Sequence, residues 1–229
     1  MRTVLSDFRK SLARVRDIAD DVDRNIATIM SDASVRNRYE TIQCSAPVIL
    51  SGFFESFLKQ MAEKCIAEVC GLGRPFSTLP ARIRQSHYEL GGAVLAQRMK
   101  DDRGRRPSRI LATVDNIAAR LASVTANPYD IVWEAFGDTR ANPNTETVVH
   151  YLKRFGINRP WTKVAAKTGL SAGVLQTSLD SFLLLRHECA HTGTASTVPT
   201  PSEIRAYADL LEKIAVALVD VLEEHVAAL

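Results

Sequence analysis

Apolar side chains recur at steps of three and four through Val4, Leu5, Phe8, Leu12, Val15, Ile18, Val22, Ile26 and Ile29. That spacing lays one stripe along a helix, and Arg9, Lys10, Arg14, Arg16, Asp20, Asp21 and Arg24 fall largely outside it. It predicts one N-terminal helix over 1–32, with a stripe narrow enough to suit a partner helix from this chain or from a second copy. Ser45-Ala46-Pro47 then reads as a helix start, because proline suits a first turn where its missing N–H is not needed. The following VILSGFFESFLKQMAEKCIAEVC is apolar nearly all round, which predicts a central helix interrupted by Glu55 and ended by Gly71 and Gly73.

The middle of the chain is more broken. The pattern predicts a helix from Thr78 to Arg98 weakened by Gly91-Gly92, a Gly- and Pro-containing basic loop over 98–109, and a helix from Arg109 to Ser123 capped by Ser108. A short helical turn follows from Asn127-Pro128 through Phe136. Then come a Thr145-capped helix ended by Gly156 and a helical piece in WTKVAAKTGL. The last part is clear again. One helix runs from Ser171 to about His191, with Thr192-Gly193 as a plausible stop. Thr200 as N-cap, Pro201 at the first position and Glu203 at the third start a final helix with Ile204, Leu211, Ile214, Leu218, Val221 and Leu222 inward. No stretch alternates as a strand does. The expectation is an all-α bundle of four long helices in a single domain over 1–229, with 78–165 as a helical insert or cap and 171–229 as the closing helix pair.

Bulk properties narrow this only a little. With 46% apolar residues the 229-residue chain has material for a sizeable core. A net charge of +3 is too small to mark a nucleic-acid binder, so any such contact needs a local patch. Cys44, Cys65, Cys70 and Cys189 form no C-x-x-C pair, and the opening MRTVLSDFRKSLARVRD is charged throughout. The expectation is a cytoplasmic protein with reduced thiols and no membrane partner.

The chemistry concentrates in LLLRHECAHTG, residues 183–193. His187-Glu188-Cys189-Ala190-His191 matches H-E-x-x-H, in which two histidines on one helix face ligate zinc while the glutamate activates a water. That chemistry needs a third protein ligand. The positions where the common forms carry one hold Thr197 and Leu211, and Thr194 stands where the extended form wants a glycine. Arg186 also sets a cation beside the first histidine. Arg186 to His191, one residue out of register, matches R-x4-H. Cleavage of RNA by its own 2′-OH needs a proton acceptor, a proton donor and a fixed cation. Histidine titrates near neutrality, and the arginine fork fits two phosphate oxygens. Two copies meeting across a two-fold axis would double the set in one cleft, so this reading expects a homodimer and no metal or other cofactor.

LLLRHECAHTG at the end of a long helix, ahead of the Thr-Pro-x-Glu helix start, resembles the HEPN superfamily and its R-x4–6-H hallmark. SGFFESFLKQ resembles the family's acidic residue among aromatics, and NPNTETVVHYLKRFGI resembles a connecting segment of stand-alone HEPN proteins of the RiboL-PSP type. The resemblance implies an all-α bundle, dimerisation through the motif helices and metal-independent endoribonuclease activity, with a toxin or antiviral role and an antitoxin or other partner protein. By the same resemblance His191 is the catalytic histidine, Arg186 the phosphate-stabilising cation, His187 the polar assistant and Glu55 the residue that orients Arg186 or the site. A histidine directly after the arginine is less usual there than Asn or Asp. The alternative is a catalytically silent HEPN domain that binds nucleotide, nucleic acid or a partner protein, and a zinc hydrolase is a further one.

Several other features have both a sharp and a bland reading. The 98–109 loop holds six Lys/Arg against two Asp, and Arg103, Arg105 and Arg106 there are candidate RNA contacts. Lys153 and Arg154, with Arg159 and Lys163 near Trp161, are a second basic group, in which Trp161 is either a stacking platform or core. Residues 163–179 have helix-turn-helix spacing, or Gly169 simply breaks one helix and Ser171 caps the next. Cys189 inside the motif reads as a small core residue rather than a nucleophile.

Overall fold

The computed structural model describes residues 1–101, 107–126, 128–139, 143–192 and 197–229. Within them the chain forms ten α-helices and no strand: α1 (Arg2–Arg24), α2 (Ile26–Ser31), α3 (Ala33–Cys70), α4 (Ala81–Asp101), α5 (Pro107–Ala122), α6 (Glu134–Gly137), α7 (Thr145–Arg154), α8 (Pro160–Thr168), α9 (Ala172–Thr192) and α10 (Pro201–Ala227). The molecule is all-α, as the periodicity predicts. The principal core is one hydrophobic cluster that draws on α1, α3, α9 and α10 and also on Ile83, Ile117 and Tyr151 from the middle of the chain.

The N-terminal helix is split where the stripe alone predicts continuity. The Asn25 side chain donates to the Asp21 carbonyl at 2.8 Å, competing with the backbone ladder and ending α1. The next helix starts at Asp32, not at Ser45-Pro47. The Asp32 carboxylate accepts from the backbone of Ser34 and Val35 at 2.8 and 3.2 Å. Pro47 therefore lies inside the 38-residue α3 and is buried there. The extra helix, SVRNRYETIQ, carries a sparse apolar stripe of Val35, Tyr39 and Ile42, which packs against Val22 and Ile29. Tyr39 holds it down, packing with Val22 and Ile29 and donating its hydroxyl to Asp21 at 3.0 Å.

The stripe on α1 packs within this chain. Phe8 stacks at 4.8 Å from Phe57 of α3, and the flanking polar side chains form ion pairs with α10: Arg2 with Asp220 and Glu223, Arg9 with Glu212, Arg16 with Asp209 and Glu212, and Arg205 with Asp20. Two helices running antiparallel are thus zipped along their whole length.

In the middle of the chain, α4 is a 21-residue helix, as long as the one expected from Thr78 to Arg98 but displaced three residues along the chain. It tolerates Gly91 because a β-carbon there would meet Leu121 at 2.9 Å, so the glycine permits the close approach of α5. α5 starts at Pro107, ahead of Ser108. The turn expected from Asn127 is not helical until Glu134, and Asn127 lies outside the described residues. Asn144, rather than Thr145, caps α7, accepting from Thr147 at 2.8 Å. The Thr145 hydroxyl is engaged elsewhere, donating to Asp180 of α9 at 3.0 Å. Gly169, with φ of 71°, ends α8, and Ser171 accepts from Val174 at the start of α9. The capping box before α10 forms as read, with Thr200 and Glu203 bonded reciprocally at 3.2 and 2.8 Å.

Candidate active site

The motif occupies the C-terminal turns of α9. Helical spacing sorts its residues onto two faces. Leu175, Leu179, Phe182, Leu183 and Cys189 are buried inward. Leu184, 64% exposed, lies outward together with His187, Ala190 and His191. The helix is a core element, which accounts for its apolar length and removes the exposed polar surface a DNA-reading helix needs.

On the outward face the two histidine rings sit one turn apart, with centroids 4.2 Å from each other and planes at 56°. Arg186 is half-buried between the faces, and its Nε is enclosed without a hydrogen-bond partner. A buried donor of this kind carries a free-energy cost until an acceptor arrives. Cys189 hydrogen-bonds with Cys44 of α3, and burial first, with the neighbouring thiol next, pushes its pKa up to about 11. It is a protonated packing group at neutral pH, not a nucleophile. Gln43, beside Cys44, donates to the Pro199 carbonyl at 2.9 Å, which fastens α3 to the residues that lead into α10.

The other sequence candidates fall elsewhere. Glu55 does not pair with Arg186; its carboxylate takes the Lys59 ammonium at 2.6 Å. Along α3, Glu55 lies about 16 Å from Cys44, the residue that touches the motif, at roughly 1.5 Å rise per residue. Arg103, Arg105 and Arg106 lie outside the described residues. Lys153 and Arg154 line a cleft of about 650 Å³ between α4 and α7, opposite Arg82. There Lys153 is exposed, while Arg154 donates to the Phe136 and Asp138 carbonyls at 3.1 and 2.6 Å. None of the motif residues lines that cleft.

Trp161 is core, 5% exposed and donating its indole N–H to Thr145 at 3.1 Å. The tryptophan that borders open space is Trp133, on a neighbouring cleft of about 540 Å³. Sequence reading missed it, because nothing around Trp133 marks it off from a buried aromatic. Among the described residues no three His, Cys, Asp or Glu side chains are grouped to hold a metal ion, so His187 and His191 share a face without a third ligand. No described helix is long and apolar enough to cross a membrane.

Comparison with known proteins adds one match. The model of the RiboL-PSP-HEPN family matches residues 12–224, a span from α1 to α10 that includes the whole of α9. No curated protein and no solved structure matches the chain. An all-α bundle with R-x4-H on a core helix, matched over nearly its full length, places this chain in the RiboL-PSP-HEPN family.

Proposed function

We propose that the protein is a metal-independent endoribonuclease that works as a homodimer through the outward face of α9. The observation that carries the reading is the grouping on one helix end of two exposed histidines and an arginine whose Nε has no partner. His191 removes the proton from a ribose 2′-OH, and that oxygen attacks the adjacent phosphorus. The bond from phosphorus to the 5′-oxygen breaks as a second imidazole, from His187 or from His191 of the other copy, protonates the leaving oxygen. Arg186 turns its fork onto the non-bridging oxygens as charge builds in the phosphorane. The products are a 2′,3′-cyclic phosphate and a 5′-hydroxyl.

One copy brings a single Arg186. A pair of copies related by a two-fold axis brings two, and the exposed Leu184 on the same face supplies apolar surface for that contact. Glu55, bonded to Lys59, acts in this reading as a brace within α3 rather than on the reacting atoms.

The test is digestion of labelled total RNA in excess EDTA by wild type, Arg186→Ala and His191→Ala. Wild type is expected to cut and to leave cyclic phosphate ends. Each variant should lose about 10²- to 10⁴-fold in rate with its helical circular dichroism unchanged. Ends carrying a 3′-hydroxyl and 5′-phosphate overturn the 2′-OH mechanism. Absence of cutting by wild type overturns the assignment as an enzyme.

A further inference from the structure

The cleft at Trp133 lies between α3, α4 and α6. Its floor is buried Ala135 and Gly137, where a β-carbon on Gly137 would meet the α3 backbone at Lys59 at 3.3 Å. Leu90 and Val94 of α4 form an apolar wall. The indole is half-buried, and the strand of chain just before it is pinned by the Val132 N–H donating to His87 at 3.2 Å. An aromatic face held in place beside an apolar wall is a stacking platform fixed before any ligand arrives.

The charges around it are unequal in what they have left to offer. Glu134 is taken up bidentately by Arg120, at 2.6 and 2.9 Å. Arg98 is exposed near the end of α4, and Lys59 is half-exposed, paired among the described residues with Glu55 in a surface contact that a phosphate displaces at little cost. Asp138 is the remaining carboxylate. With Leu90 it is shared with the neighbouring cleft, where Arg82, Lys153 and Arg154 stand. An aromatic side chain lining a cleft with cations at its rim is the chemistry that holds a base and its phosphates.

We propose that this cleft is a subsite for an unpaired nucleotide of single-stranded RNA, with the base against Trp133 and the flanking phosphates on Lys59 and Arg98. The proposal rests on the ribonuclease reading for its biological sense but binds RNA independently of cleavage. From Cys44, which touches the motif, α3 advances about 22 Å to Lys59 at 1.5 Å per residue. A stacked strand bridging the two therefore needs at least about seven nucleotides at roughly 3.4 Å each.

The chain has two tryptophans, and Trp161 is sealed in the core, so emission changes on titration report Trp133. The probe is a 2′-O-methyl oligoribonucleotide of about 12 nucleotides, long enough for that span and unable to be cleaved through a 2′-OH. It should quench emission in wild type and leave Trp133→Phe unquenched. Trp133→Ala should weaken binding about 5- to 100-fold. A Lys59→Ser, Arg98→Ser double variant, altered only at exposed positions, should lower the salt dependence of log Kd by about 1.4, or roughly 0.7 per phosphate contact on a single strand. Unchanged affinity in folded Trp133→Ala overturns the proposal. Should that variant fail to fold, unchanged affinity and salt slope in the double variant overturn it instead. Binding of AMP as tight as the oligonucleotide overturns it in favour of a mononucleotide pocket, and equal binding of the same oligonucleotide annealed to its complement overturns the stacking role. A protein that cuts RNA but fails these tests keeps its catalytic reading and loses this subsite. One that passes without cutting keeps the subsite and loses the catalytic reading.

Discussion

His87 is fully buried, edge-on to Phe76 with ring centroids 5.4 Å apart, and its Nδ1 accepts the Val132 N–H. Accepting there requires a neutral ring. Burial lowers its pKa, and burial likewise lowers that of His225, whose Nε2 lies 2.7 Å from the Phe155 carbonyl. Each histidine therefore takes up a proton more readily unfolded than folded. Their contribution to stability is complete above the ordinary histidine value near 6.5 and is lost as pH falls below it. The melting temperature should drop between about pH 6.5 and 5, and a His87→Gln, His225→Gln double variant should flatten that drop. A flat wild-type profile over the same interval would show that neither ring is held neutral. The motif histidines His187 and His191 face outward. The sequence reveals that difference only in part. The R-x4-H spacing picks out Arg186 and His191, because spacing on one helix is local information. The role given to Glu55 depended on a contact between helices, and there a nearer cation, Lys59, takes the carboxylate.

Helix starts were legible where a side chain does the capping within three residues. Thr200 and Glu203 form the box that their spacing announces, and the hydrogen bonds from Thr200 hold the Glu203 carboxyl below its usual pKa. Thr200→Ala should cost about 1 kcal/mol, within the range known for such caps, read as a shift in the urea midpoint at unchanged slope. A loss near zero would mean that the packing of α10 alone sets its start. Pro47 shows the opposite case. Its local signal says that a helix begins, yet Tyr39 buries the preceding turns against α1 and α2, and that packing outweighs the one backbone hydrogen bond a proline forgoes. Thr145 lost its expected cap position for a similar reason, since Asp180 on α9 competes for its hydroxyl. Local rules hold until a residue far away in sequence offers a better partner.

For the whole molecule, the all-α class and the closing pair α9 and α10 were legible because strong periodicity survives burial. The clefts beside α4 were not, because they are made by the spacing between helices that no single stretch encodes. The outward face of α9 carries the prediction at this scale. Leu184→Asp puts a charge at the centre of the proposed two-fold contact. It should give a monomer by sedimentation, with activity down at least about tenfold and helical content unchanged. A wild type that is monomeric at working concentration, yet cuts RNA, removes the composite site.

The ion-pair zipper has a consequence for how the protein is made. Arg2 bonds to Glu223 across 221 positions of sequence, so the helix that pairs with the polar flank of α1 is the last of the ten described to be synthesised. At roughly 5 to 20 residues per second, α1 waits on the order of 10 to 45 s after it emerges before α10 exists to pair with it. During that interval α1 has α3 to pack on, through Phe8 and Phe57, but the ion-pairing partner of its polar flank and the closing neighbour of the motif helix are still missing. The face of α9 proposed to cut RNA thus gains its α10 neighbour only after the other nine described helices have been made.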